Sequence, residues 1–149
     1  MVIVGYQGIG KSSLSKKSNK YIDLESSNFF VNGVRDDNWY IVYANIAEYL
    51  SNQGYLVFTS SHKVVREELS RRNMDRYIIA PDIALKDEWI DKLEKRYSIT
   101  KMEKDYKALM NAKDCFEDNI QELFSDSNFK SIRLSTINYS LERLVNCLK

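Results

Sequence analysis

Histidine, proline and cysteine are nearly absent from this chain, with one, one and two of them respectively in 149 residues. The two cysteines, Cys115 and Cys147, have no C-x-x-C spacing and no histidine nearby, so neither a disulfide nor a metal centre is expected from them. Both lie in helical patterns, where they are expected as small apolar packers. Pro81 is the sole proline. No repeat, low-complexity stretch or linker is visible, so residues 1–149 are expected to form a single domain. Charge of one sign is also lacking. The formal net charge is +1, and Lys and Arg are scattered rather than blocked, which gives no bulk attraction for nucleic acid or a membrane. No apolar run is long enough to span a bilayer. The apolar opening at Met1 is too short for a secretory signal. The expectation is a cytoplasmic protein with no membrane partner and no nucleic-acid partner, its oligomeric state open.

What the chain does have begins at residue 5. Gly5-Tyr6-Gln7-Gly8-Ile9-Gly10-Lys11-Ser12 reads G-x-x-x-x-G-K-S, the phosphate-binding loop of P-loop NTPases. In this pattern glycines let the backbone curl until successive N–H groups face phosphate oxygens. Gly5, Gln7, Gly8, Ile9, Gly10, Lys11, Ser12 and Ser13 are the candidate nucleotide-binding residues. Lys11 can reach the β- and γ-phosphates, and the Ser12 hydroxyl is placed to ligate Mg²⁺. Residues 2–4 form an apolar strand that feeds the loop, and a helix over 11–17 follows, its N-terminal dipole favouring an anion.

Beyond the loop, strand and helix patterns alternate, which predicts an α/β fold with a mainly parallel sheet. Strands are expected at 2–4, 21–24, 55–59, 77–80 and 131–134. The stretch 25–37 reads as a polar loop with Asn32-Gly33 as a turn. Helices are expected at 38–52, 62–72, 86–97 and 101–124, with a closing helix carrying Leu141, Leu144, Val145 and Leu148. Trp39, Val42, Tyr43, Ile46, Ala47 and Leu50 form the apolar face of the first long helix. Met102, Tyr106, Leu109, Phe116, Ile120 and Leu123 do so in the last long one.

Ligands of such sheets bind outside the carboxyl ends of the strands. Asp23 ends the second strand, and Glu25 follows at the i+2 position that faces the same way in extended backbone. Asp23 and Ser12 are the candidate Mg²⁺ ligands. Lys11, Asp23, Glu25 and Arg96 are the candidate catalytic residues, and one of the two carboxylates can take a proton from an acceptor hydroxyl. Thr59-Ser60-Ser61-His62 ends the third strand without the Asp that many P-loop enzymes keep there, which argues against a GTPase or motor ATPase. Ser61, His62 and Arg66, at and after this strand end, are candidate acceptor-binding residues. Val65 and Leu69 are expected to face the core, turning Arg66 towards the cleft or solvent. Arg96, with Lys86 and Lys92 on the same helix, can neutralise charge over a triphosphate.

These residues carry a resemblance. The P-loop, Asp23-x-Glu25 and the missing third-strand acid resemble the small-molecule and nucleotide kinase branch of P-loop proteins. The stretches at 21–29, 57–66 and 81–96 are similar to kinase-like P-loop proteins of phages and Gram-positive bacteria, described as adenylate-kinase-like or nucleoside-kinase-like. The resemblance covers most of the chain to about residue 97. It implies a three-layer α/β/α fold, a five-stranded parallel sheet in the order 2-3-1-4-5, a short helical lid after strand four, and ATP with Mg²⁺ as cofactors. It places an acceptor region between strands two and three, with Arg35, Trp39 and Tyr43 in it and Arg35 as a further acceptor-binding candidate for a phosphate, and has 135–137 border the donor adenine. The implied activity is phosphoryl transfer from ATP to a small acceptor, a nucleoside or (deoxy)nucleoside monophosphate, in the host cytoplasm if phage-encoded. The alternative is a nucleotide-binding module without turnover, acting by sequestration or protein interaction. A polynucleotide 5′-kinase ranks last, because no basic track is present.

Overall fold

A computed structural model describes all residues, Met1–Lys149. Its centre is a five-stranded, all-parallel sheet of β1 (Val2–Gly5), β2 (Tyr21–Asp23), β5 (Leu56–Thr59), β6 (Arg76–Pro81) and β7 (Lys130–Leu134). β1 is buried throughout, as a strand covered on both faces must be. It pairs with β5 on one side (Val2 opposite Val57) and β6 on the other (Val2 opposite Arg76). The loop that follows β1 therefore leaves the middle of the sheet at its carboxyl edge.

Numbered along the whole chain, the strand order is β2-β5-β1-β6-β7; the labels differ from the expected 2-3-1-4-5 because two further strands, outside this sheet, come between β2 and β5. The chain has seven strands. Two short ones, β3 (Phe30–Val31) and β4 (Val34–Arg35), precede β5 and form a separate antiparallel hairpin. They fall where a polar loop was expected. Asn32 and Gly33 both have positive φ (52° and 78°), as a two-residue hairpin turn requires.

Six helices surround this sheet: α1 (Lys11–Ser15), α2 (Trp39–Asn52), α3 (Lys63–Ser70), α4 (Lys86–Thr100), α5 (Glu103–Phe124) and α6 (Leu141–Asn146). α2 lies against β5, β1 and α3, while α5 lies against β6 and α4. This α/β arrangement is compatible with three layers. α1 ends at Ser15, two residues earlier than the pattern suggested. No helix is long and apolar enough to cross a membrane.

Several expected faces are turned. On α2 the buried residues are Tyr43, Ala44 and Ala47, while Val42 and Ile46 are exposed. On α5 the buried face starts at Leu109. Met102 and Tyr106 are exposed, and the buried position of the first turns is taken by Asp105. Cys115 and Cys147 are exposed rather than packed, and Cys115 sits at a kink in α5 (φ −135°).

Arg66 also departs from expectation. Val65 and Leu69 do face the core, yet Arg66 is only 4% exposed. Its Nη1 donates to Asp126 and its Nη2 to Glu122, both at 2.6 Å, and its Nε donates to the Ser61 carbonyl. The guanidinium thus ties α3 and the end of β5 to the end of α5, with both faces of its donor fork occupied. Removing one member of such a buried pair strands the others. Arg66→Met is expected to cost about 3 kcal/mol, read as a drop of roughly 6–12 °C in Tm, in a thermal melt monitored by circular dichroism.

Candidate functional site

The loop after β1 has the shape its glycines predict. Gly8 (φ +85°) and Gly10 (φ +105°) adopt conformations that L side chains rarely take. At Gly8 a Cβ would also meet Leu93 Cδ2 at 2.9 Å. A loop this tight leaves carbonyls outside regular backbone pairing, and those need partners. They have them. The indole N–H of Trp89 on α4 donates to the Gln7 carbonyl (2.9 Å), and the Tyr139 hydroxyl, after β7, donates to the Ile9 carbonyl (2.7 Å). The Gln7 side chain reaches α5, donating to the Ala108 carbonyl (2.9 Å) and to Asn111 Oδ1 (3.1 Å). Trp89 and Tyr139 stack with their rings nearly parallel (6°). The Lys92 ammonium lies over both rings.

At the mouth of the loop, the Ser12 hydroxyl donates to Asp23 Oδ2 at 2.7 Å. The structure thus brings together the two candidate metal ligands from α1 and the end of β2. A hydroxyl and a carboxylate are hard oxygen donors of the kind Mg²⁺ takes in small number, leaving its other positions to phosphate and water. No group of three or more His, Cys, Asp or Glu forms a denser metal cluster elsewhere. The Lys11 ammonium donates to the Gly5 carbonyl (2.8 Å), inside the curl of the loop. Desolvation by burial lowers its pKa. The charges of Asp23 and Glu25 act in the opposite direction, and Arg96 adds to the lowering. Lys11, Asp23, Glu25 and Arg96, drawn from α1, the end of β2 and α4, therefore share one electrostatic neighbourhood.

Two residues not singled out from sequence complete it. Lys104, at the start of α5, pairs with Glu25 (3.7 Å), and Asp105 pairs with Arg96 (2.9 Å). Asp105 is 3% exposed and also accepts from the Thr100 hydroxyl. No local periodicity marks either one. They act because the α4–α5 turn, closed by Lys101 with positive φ, folds α5 back along α4.

The acceptor candidates lie on two surfaces that share His62. Arg35 lies 4.2 Å from the Phe30 ring and 4.3 Å from the Trp39 ring, with the Ser26 hydroxyl 3.4 Å from Nη2 and no carboxylate paired to it. Trp39 meets His62 edge-on (5.6 Å), and His62 also contacts the Ser60 hydroxyl through Nδ1. Burial lowers the His62 pKa, and the Arg35 charge adds to the lowering. Arg35, Trp39 and His62 thus form one aromatic, cationic wall. Ser61, His62 and Arg66 instead line a cavity of about 330 Å³ with Tyr6, Gln7 and Asn111. A second cavity, about 310 Å³, lies beside Gly10 and Ser13 and is closed by Ile137, Tyr139 and Leu141.

Tyr43 couples the two strand ends. Its buried hydroxyl donates to the Leu24 carbonyl (2.6 Å) and accepts from the Ser60 N–H (2.8 Å). Desolvation pushes its pKa upward. The phenol thereby fixes Asp23 and Glu25 relative to Ser61 and His62. Sequence periodicity identified Tyr43 as a core residue and gave no sign of this bridge.

No protein-family model matches the chain, and no curated protein matches it.

Two outcomes follow from this geometry. Lys11→Met removes a buried charge without a carboxylate at ion-pair distance and is expected to raise Tm by about 2–4 °C, while abolishing any stabilisation by added nucleotide. A melt with and without Mg-ATP reads both effects. Tyr43→Phe leaves the Leu24 carbonyl and the Ser60 N–H unpaired, and is expected to cost about 1–3 kcal/mol, measured by urea unfolding.

Proposed function

We propose that this chain is a P-loop kinase that transfers the γ-phosphoryl group of ATP to the hydroxyl or phosphate of a nucleoside or (deoxy)nucleoside monophosphate. The observation that carries the reading is the 2.7 Å contact of Ser12 with Asp23 at the mouth of a loop that also encloses Lys11. Sequence resemblance to nucleotide and small-molecule kinases supports it. In this reading Gly5 to Ser13 hold the triphosphate through backbone N–H groups and the Lys11 ammonium. Ser12 and Asp23 hold Mg²⁺, which when bound supplies positive charge to the phosphate oxygens.

The chain's own residues do the rest. Glu25, at the carboxyl edge of the sheet, accepts the proton of an acceptor hydroxyl. Arg96, carried on α4 as a short helical lid, offsets negative charge that develops on the transferred group. Lys104 adds a second cation beside Glu25. The cavity beside Gly10, bounded by Ile137, suits the donor base, and the Arg35–Trp39–His62 wall suits an acceptor that combines a ring with an anion. Arg66 has no part in it, because two carboxylates occupy it.

One observation favours the second reading, a nucleotide-binding module without turnover. Both Arg96 and Glu25 are engaged by neighbours on α5, so each must leave its partner to act.

The deciding experiment is ADP formation with Mg-ATP across a panel of nucleosides and nucleoside monophosphates, ribo and deoxy. The kinase reading expects one acceptor class to stimulate turnover. It expects Lys11→Ala to abolish that turnover, and Asp23→Asn and Arg96→Ala each to lower kcat about 100-fold or more. A flat panel together with calorimetric binding of ATP would sink the kinase and leave the binding module.

A further inference from the structure

One cavity has no part in the chemistry above. It holds about 330 Å³, near the lower limit for a small-molecule site, and is lined from the loop after β1, the end of β5 and α5. Three of its lining residues are amides: Gln7 from the loop, and Asn111 and Asn119 from α5. They hold one another. Gln7 Nε2 and Asn119 Nδ2 both donate to Asn111 Oδ1 (3.1 and 3.0 Å), and Gln7 Nε2 also donates to the Ala108 carbonyl (2.9 Å). Each amide is thereby fixed with one end free. Gln7 Oε1 and Asn119 Oδ1 are left as acceptors and Asn111 Nδ2 as a donor, none with a partner in the chain.

Tyr6 adds a second donor to the same wall. It is 2% exposed, its ring lies edge-on to Phe116 (5.7 Å), and its hydroxyl accepts from Gln7 (3.4 Å). The phenolic proton has no acceptor within the chain. Burial pushes the phenol pKa up to about 12, so this proton stays in place at neutral pH. A buried O–H that donates to nothing is costly, and a ligand in the cavity would relieve it. The cavity is also close to neutral. Arg66 is met by Glu122 and Asp126, and Lys63 pairs with Glu67 (3.9 Å). Burial, and after it the Arg35 charge, hold His62 below its ordinary pKa, so the imidazole is uncharged at neutral pH. An anion finds no unpaired cation here. The free groups match a neutral, rigid edge that carries donors and acceptors together.

We propose, resting on the kinase reading above, that this cavity is the base-recognition pocket for the acceptor, in which Tyr6, Gln7, Asn111 and Asn119 read the hydrogen-bonding edge of a nucleobase. Asn and Gln amides discriminate bases by pairing with a donor and an acceptor on one edge, which needs the amide held in a fixed plane. His62 belongs both to the cavity and to the wall with Arg35 and Trp39, so the two adjoin. Arg35 in turn contacts Ser26, the neighbour of Glu25. The acceptor is thus oriented with its base in the cavity, its sugar beside His62, and its hydroxyl or phosphate end at Arg35 and Glu25.

Calorimetric titration of the full chain tests this, with a panel of nucleosides, their 5′-monophosphates and base-free ribose 5-phosphate, in the presence of a non-hydrolysable Mg-ATP analogue. One base is expected to bind at least about 10-fold more tightly than the others. Asn111→Leu is expected to weaken that nucleotide at least about 10-fold and to erase the preference. It should leave ribose 5-phosphate and the ATP analogue unaffected, because Gln7 keeps its bond to Ala108. Should Asn111→Leu lose its helical circular dichroism, Tyr6→Phe, which keeps the ring, carries the test. Equal affinity for all bases overturns the proposal. So does a preference that the variants retain, or a failure of every nucleoside and nucleotide to bind. ADP formation judges the kinase reading separately. Acceptor-stimulated turnover that neither variant alters overturns the pocket and leaves the kinase, whereas base-selective binding without turnover sustains the pocket in a binding module.

Discussion

The structure depends on where the outward-facing carbonyls of the loop between β1 and α1 find their donors. A tight loop between a strand and a helix takes its C=O groups out of regular backbone pairing, and unpaired buried carbonyls are costly. Here the indole of Trp89 and the phenol of Tyr139 supply the missing donors. These two residues come from α4 and from the segment after β7, so both must be in place for the loop to hold its shape. The Gln7 side chain adds a third attachment, to α5. The middle of the sheet, the α4–α5 hairpin and the C-terminal segment are thus joined at a loop of a few residues, and Gly8 allows it by leaving room for Leu93 and Trp89.

The second constraint is the pairing of charges around Lys11. Its ammonium is desolvated within the loop, and Asp23 and Glu25 are the nearest compensation. Those carboxylates are in turn placed by a purely structural device, the Tyr43 hydroxyl that bridges the ends of β2 and β5. α5 contributes Lys104 and Asp105 from its first turn, each bound to a group of the proposed chemistry. Of the surrounding cations, Arg96 and Lys104 each have an acid at ion-pair distance, while Lys11 donates to the Gly5 carbonyl and Arg35 has no carboxylate paired to it. Arg35 instead lies against two aromatic rings.

The helical faces show where pattern reading has to give way to packing. α2 carries apolar residues over most of its circumference, so periodicity alone cannot say which stripe meets the sheet. Small Ala44 and Ala47 allow close approach to β1 and β5, and they, not Val42 and Ile46, are buried. In α5, Asp105 takes an interior position because Arg96 and Thr100 are there to meet it, which displaces Met102 and Tyr106 to the surface. The hairpin of β3 and β4 was hidden for a different reason. Two residues per strand leave no alternation to read, and only Asn32-Gly33 marked its turn.

By itself, the sequence determined the elements with strong local signals: five sheet strands, the long helices, and a glycine-rich loop whose backbone angles few other residues tolerate. It put Ser12 and Asp23 at the same edge of the sheet, but their contact was decided by the fold, because β5 lies between β1 and β2 and it is the packing of α1 on β2 that closes the gap. Tertiary structure alone decided the partners. Arg66 became a tether between α3 and α5 once Glu122 and Asp126 arrived from 56 and 60 residues away. Lys104 and Asp105 met their partners only after α5 folded back along α4, and Tyr43 joined two strand ends from a helix. The division has a physical cause. Backbone preferences act over a few residues, whereas a charge or a hydroxyl takes its role from whatever the completed fold brings within hydrogen-bonding distance.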